Sequence, residues 1–211
     1  MARPKPILLF AAALVLIAGA AQAQVISSSL AGQSPAAGGQ YGWSVRDAGD
    51  VNRDGVADLI LGAPLDSRSG VNKGRAYIFF GGTQDRLELE GVSNGVQENF
   101  GWSCSGIGDI NGDGFDDVAV GAPMHSTTGT QRGRVYVFYG GTNMNAVIDV
   151  VFDGDLPSDQ FGWSVCRAGD MNGDGFDDMI VGANLANSPL ANAGAAYLFL
   201  GRNGTPSTTY A

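Results

Sequence analysis

Short apolar runs recur along the chain between glycine-bearing polar turns. Leu59–Ala63, Val118–Ala122 and Met179–Ala183 each end in Gly-Ala. A stronger run follows each one, at Arg75–Phe80, Arg134–Tyr139 and Ala195–Leu200. These segments are rich in β-branched and aromatic residues and are bounded by turn residues, so they read as strands. Leu87-Glu88-Leu89-Glu90 alternates strictly, the pattern of a half-exposed strand. Val147–Phe152 is its counterpart further on, and Val25-Ile26 with Ser27–Leu30 reads as another strand ahead of the first set. Gly201–Ala211 is polar and reads poorly as a strand. Beyond the leader there is no convincing helical period.

The strands belong to a threefold repeat. Residues 41–82, 100–141 and 161–202 align without a gap over 42 positions and are identical in all three copies at 15 of them. Self-similarity at a fixed period marks a repeat architecture. Each copy opens with an aromatic-Gly-Trp-Ser, at Tyr41, Phe100 and Phe161. With the spacer strands, each period of about 60 residues supplies four short strands, the middle ones apolar on both faces and the fourth half polar. That gradient suits blades of four antiparallel strands packed face to face around an axis. A β-sandwich has no need of so strict a period. The fold class is therefore all-β, with three four-stranded antiparallel units.

Composition sharpens this picture. Glycine accounts for 33 of 211 residues without a Gly-X-Y period, which excludes collagen and suits a turn-rich β protein. A net charge of -9 argues against nucleic acid as a partner, because phosphate binding needs clustered Lys and Arg. Arg3 and Lys5 precede an apolar run from Ile7 to Ala18, followed by Ala21-Gln22-Ala23. This is the layout of a secretory signal peptide over residues 1–23, too short to span a bilayer. The expected mature chain is exported, to the extracellular space or the periplasm, with no membrane span. Residues 24–202 carry the repeats and 203–211 form a polar tail.

The chemistry lies in three acidic loops. Each reads Asp-x-Asn-x-Asp-Gly-x-x-Asp: Asp50, Asn52, Asp54 and Asp58; Asp109, Asn111, Asp113 and Asp117; Asp170, Asn172, Asp174 and Asp178. Oxygen ligands at positions 1, 3 and 5 can wrap one centre. The glycine at position 6 permits the sharp turn, and the position 7 carbonyl (Val56, Phe115, Phe176) can add a ligand. Aspartate at position 9 closes the shell. Hard oxygen donors without thiol or imidazole favour Ca2+ over zinc or copper, giving three expected sites. An EF-hand would need Glu at position 12 between flanking helices, where Leu61, Val120 and Val181 stand inside strands. The loops hold 11 of the 21 acidic residues, so the metal is expected to offset much of the charge and to be structural.

Phe-Gly, then the acidic loop, then Gly-Ala-Pro (Gly62-Ala63-Pro64 and Gly121-Ala122-Pro123) resembles the FG-GAP repeat. That repeat builds the seven-bladed propeller of integrin α subunits and occurs in glycosylphosphatidylinositol-specific phospholipase D and in bacterial secreted proteins. The resemblance covers most of residues 24–202. It implies a β-propeller with calcium in hairpin loops on one rim and recognition of a protein or cell-surface ligand on a face. Its metal roles fall on Asp50, Asn52, Asp54 and Asp58 and their counterparts. Tyr41 replaces the opening Phe in copy one, and Asn184 replaces Pro in copy three. Three copies stand where the family's closed propeller has seven, and the sequence holds no transmembrane helix, stalk or cytoplasmic tail of an integrin subunit.

Three blades make an open arc with apolar end faces, and exposed apolar patches mark interfaces. A homodimer of six blades is expected, with Gln24–Leu30 supplying the missing outer strand. Cys104 and Cys166 fall on opposite faces of equivalent strands, so they either meet across a blade interface or act as two small buried hydrophobes. Trp43, Trp102 and Trp163 share one column and read as blade-packing aromatics. His125 sits in a variable loop and reads as solvated. Asn203-Gly204-Thr205 is a glycosylation sequon, meaningful only in a eukaryotic secretory pathway.

Three functions compete. The first is a secreted calcium-dependent adhesion or recognition module, whose loops Pro64–Gly74, Pro123–Gly133 and Asn184–Gly194 vary on a fixed frame. The second is a hydrolase-associated propeller, although no Gly-x-Ser-x-Gly is present. The third is a structural part of a surface assembly.

Overall fold

A computed structural model describes residues 37–83, 85–92, 97–126, 130–187, 190 and 192–210. Among the described residues twelve strands form three separate four-stranded antiparallel sheets. Blade 1 is β1 (Ser44–Gly49), β2 (Asp58–Ala63), β3 (Arg75–Phe79) and β4 (Arg86–Leu89). Blade 2 is β5 (Ser103–Gly108), β6 (Asp117–Ala122), β7 (Arg134–Phe138) and β8 (Val150–Asp153). Blade 3 is β9 (Phe161–Gly169), β10 (Asp178–Ala183), β11 (Ala195–Leu200) and β12 (Ser207–Tyr210). Strand order follows sequence order in every blade, as in a meander. Among the described residues no helix is long and apolar enough to cross a membrane.

The first strand of each blade lies innermost, with β1 against β5 and β5 against β9. Two cores separate the blades. Ile60, Ile78 and Leu89 of blade 1 meet Phe100, Val118 and Tyr136 from the blade 2 side. Ala119, Val135 and Val137 of blade 2 meet Met179, Val181 and Phe199 of blade 3. Strand alternation sends one set of residues to each neighbour, so the middle strands are apolar on both faces. Among the described residues no core joins blade 3 back to blade 1, and the sheets do not close into a ring.

One irregularity is repeated. The register slips between Asp47 and Gly49 in β1, and between Gly106 and Gly108 in β5. In β9 the slip falls opposite Asp178 and Met179. Gly49, Gly108 and Gly169 take φ of +80°, +73° and +73°, open to glycine without steric cost. Such a bulge bends the strand end and turns the following aspartate into the hairpin loop.

Three expectations need correction. β12 supplies the outer strand of blade 3, so the C-terminal segment completes that sheet; Gln24–Leu30, like residues 1–23, lies outside the described residues. Cys104 and Cys166 do not meet. Cys104 is buried in the core toward blade 1, Cys166 is exposed on the free face of blade 3, and both are free thiols. The blades stack in the sense that points the two cysteines away from their shared interface. Only Cys104 therefore behaves as a small buried hydrophobe. His125 is 4% exposed rather than solvated, because Glu98 from the preceding linker binds its Nδ1 at 2.8 Å.

Candidate metal centres and recognition face

The acidic loops are the β1–β2, β5–β6 and β9–β10 hairpins, all on one rim of the blades. Their internal geometry repeats. In the first, Asp50 accepts the N–H groups of Asp54 at 3.0 Å and Gly55 at 2.8 Å. Asn52 Oδ1 accepts from Asp54 N–H at 3.0 Å, and Asp54 Oδ1 accepts from Val56 N–H at 2.9 Å. Asp109, Asn111 and Asp113 make the same bonds in the second loop. Asp170, Asn172 and Asp174 make them in the third. Gly55, Gly114 and Gly175 at position 6 have φ of +86°, +89° and +92°, the left-handed turn expected there.

Position 9 is different. Asp58, Asp117 and Asp178 are fully buried at the start of β2, β6 and β10. Asp117 accepts Ile110 N–H at 3.0 Å and Gly140 N–H at 2.8 Å, tying its loop to the β7–β8 turn. Asp58 does the same with Val51 and Gly81, and Asp178 with Met171 and Gly201. Burial raises the Asp117 carboxyl to about 8; the two N–H donors oppose this, while Asp113 and Asp109 add to it. Burial raises Asp58 in the same sense. Asp170 is held low, chiefly by the Gly175 N–H.

The structure thus brings positions 1, 3 and 5 together in each loop and uses position 9 as a buried brace beside them. Among the described residues no three acidic, imidazole or thiol side chains converge on one point. The oxygens gathered at positions 1, 3 and 5 come from two aspartates and an asparagine. Hard oxygens on a tight glycine turn, next to a buried carboxylate, fit a Ca2+ ion.

Sequence reading missed two aspartates that brace the acidic loops. Asp116 Oδ2 accepts Asp50 N–H at 2.7 Å, and Asp177 Oδ2 accepts Asp109 N–H at 3.1 Å, so each blade clamps the loop of the one before it. The signal was the doubled acid in Asp116-Asp117 and Asp177-Asp178, where copy one has Ala57-Asp58. Arg53 stands where the other loops have Gly112 and Gly173, and its guanidinium lies 5.8 Å from the Phe115 ring.

The opposite rim carries the β2–β3, β6–β7 and β10–β11 loops, the variable segments. At this end Trp43, Trp102 and Trp163 stack in sequence, with ring centroids 4.9 and 4.8 Å apart. They pack blade to blade, as their column suggested, while Trp43 keeps about half its surface in solvent.

Three sheets of four antiparallel strands, with an acidic hairpin repeated on one rim, define a protein of propeller blades. The FG-GAP repeat model matches residues 42–79, 100–138 and 161–199, more than half of the chain, which belongs to the FG-GAP repeat family. It is similar to integrin alpha-5 of Xenopus laevis, at 35% identity over 73% of this chain and 16% of the relative. It is similar to phosphatidylinositol-glycan-specific phospholipase D of Bos taurus, at 33% identity over 70% of this chain and 19% of the relative. Human integrin alpha-IIb is 36% identical over 65% of this chain and 14% of its own length. The chain therefore spans less than a fifth of each of these relatives.

Proposed function

We propose that the chain is an exported, calcium-stabilised module for recognition of a protein or cell-surface ligand. Each acidic loop would hold one Ca2+. Asp50, Asn52, Asp54, the Val56 carbonyl and Asp58 serve the first site, with their counterparts in the second and third. The observation that carries this reading is the threefold recurrence of one oxygen-lined turn, with the same hydrogen bonds each time. Bound calcium would supply positive charge where 11 of the 21 acidic residues are concentrated. The metal has a structural role here, because it would fix hairpins of which the first two are gripped by the next blade.

Recognition is assigned to the opposite rim, where variable loops stand on rigid sheets. The integrin relatives favour this reading. Among the described residues the lone histidine is buried against Glu98, so we read the module as non-catalytic.

Calorimetric titration of the metal-free chain with Ca2+ tests the proposal. The expected stoichiometry is three, falling to two in Asp113→Asn. Sites of roughly 10⁻⁴–10⁻³ M affinity would each add about 0.4–1.4 kcal/mol at about 1 mM calcium. EDTA should therefore lower the melting temperature. Absence of binding, together with an unchanged melting temperature, overturns the calcium assignment. Capture of extracellular proteins by the calcium-loaded chain, weakened by substitutions in Pro123–Gly133, tests the recognition face.

A further inference from the structure

The two end faces are the two halves of one repeated joint. At each internal joint, a carbonyl from the following blade rests on a glycine of the preceding one. Gly101 O covers Gly62 and Gly162 O covers Gly121, so closely that a Cβ at either position would overlap the carbonyl. The loop carbonyls take part too. Gly141 N–H donates to Val51 O at 2.8 Å and Arg202 N–H to Ile110 O at 3.0 Å.

Blade 3 presents the same forward face with nothing on it among the described residues. Gly182 stands in the Gly62 and Gly121 column and meets only Ser164 of its own blade. Met171 stands in the column of Val51 and Ile110; those two are fully buried, whereas Met171 is 64% exposed. Blade 1 presents the matching rear face at the acidic-loop end of its inner strands, while Leu61, Ala63 and Tyr77 further along the same face are buried under Tyr41. Val45 is 46% exposed where Cys104 and Val165 are buried, and Leu59 is 44% exposed where Val118 and Met179 are buried. A Cβ at Gly42, counterpart of Gly101 and Gly162, would point into open space.

We propose that two copies of this chain join head to tail, blade 3 of each on blade 1 of the other, and close a six-bladed ring. Head-to-tail contacts form rings when the rotation closes, and this arrangement leaves no apolar end face. Gly42 O would rest on the partner subunit's Gly182, and Gly82 N–H would donate to the carbonyl of the partner subunit's Met171. One element of the internal joint is missing. The clamp at Asp116 and Asp177 is Ala57 in blade 1, so the joint between copies is weaker than the joints within a chain. It can accordingly be strengthened by one substitution. This inference does not rest on the calcium reading, and its readouts are separate from metal stoichiometry.

Light scattering on the purified chain, across a range of concentrations and with and without calcium, is the test. A dimer is expected. Ala57→Asp, at an exposed position in the single copy, adds one hydrogen bond to a charged group at each of the ring's two joints and should lower the dimer dissociation constant by roughly a hundredfold or more. Gly182→Ala needs only a shift of Ser164 within its own blade, yet it should raise the constant by tenfold or more with the fold retained by circular dichroism. Cys166 lies on the face that becomes covered, so its alkylation should slow as the dimer fills. A chain monomeric at every concentration, or one whose self-association ignores both substitutions, overturns the joint. An open ladder of higher oligomers overturns ring closure.

Discussion

Asp116 Oδ2 accepts the backbone N–H of Asp50 at 2.7 Å, across 66 residues of sequence and from one blade to the next. The bond satisfies a part-buried donor at the head of an acidic loop, and the Asp116 side chain fills the space over Gly49. An unsatisfied buried donor costs about 1–3 kcal/mol. Asp116→Ala should therefore lower unfolding stability by that amount. The midpoint of urea unfolding should fall while its slope holds. Asp177→Ala should behave alike, since its added pairing with the largely exposed Arg167 contributes little. A parent-like midpoint in both variants would show that the clamp does not hold the blades together.

Glycines on the middle strands give a second, graded expectation. Gly121 and Gly182 occupy one column of the repeat, but only Gly121 lies under a carbonyl of the next blade, that of Gly162. A methyl group at Gly121 must push the blades apart, and overpacking of this kind costs about 1–3 kcal/mol. Gly121→Ala should lose that stability in dilute solution, where Gly182→Ala stays within about 0.5 kcal/mol of the parent. Thermal or urea unfolding of the two variants side by side checks the order. Equal losses would mean that the column is set by strand geometry and not by the blade joint.

Much of this was legible because the repeat reports itself. Identical columns mark the strands, the acidic hairpins and the blade count in the sequence itself. What escaped lies outside the repeated columns or depends on stacking sense. The burial of His125 depends on Glu98, 27 residues away in a linker that reads Gly39 in copy one and Asp159 in copy three. β12 was missed because an outer strand needs no apolar alternation; Thr208-Thr209-Tyr210 carries β propensity without a hydrophobic face. The cysteines were misplaced because alternation gives opposite faces but not which face meets which neighbour.

The linker contact has its own consequence. Tyr136 is fully buried, and its hydroxyl donates to Glu98 Oε2 at 2.7 Å, the same oxygen that binds His125. Tyr136→Phe keeps the ring edge-to-face against Phe100, whose centroid is 5.2 Å away, and removes only the hydroxyl. The loss should be about 1.5–3 kcal/mol, the range for one buried hydrogen bond to a charged group. In blade 1 the equivalent Tyr77 hydroxyl donates to Asp66 at 3.2 Å and accepts from Arg68 at 2.6 Å. Tyr77→Phe leaves Arg68 and Asp66 still paired, so its cost should be smaller. A double-mutant cycle between Tyr136→Phe and His125→Ala should show coupling above about 0.5 kcal/mol through the shared carboxylate. Additive effects would dissolve the network into separate contacts.

The two thiols should differ sharply in reactivity. The thiolate is the nucleophile, so a thiol that keeps its proton does not alkylate. Burial pushes the Cys104 thiol up to about 12, only partly offset by the Ser44 hydroxyl and the Arg46 charge. In dilute solution at pH 8.5, iodoacetamide should modify Cys166 and leave Cys104 until the chain unfolds. The raised value also sets a sign. With the folded group titrating higher than the unfolded one, its contribution is complete below the unfolded value of about 8.5 and is lost as pH rises toward 12. Stability should therefore fall in alkali. Part of that fall should vanish in Cys104→Ala, which leaves the buried tyrosines to titrate as before. Mass spectrometry of the alkylated chain, with urea midpoints from pH 8 to 11 for parent and variant, decides both points. Early modification of Cys104, or parallel midpoint curves, would place that thiol in contact with solvent and open the joint between blades 1 and 2.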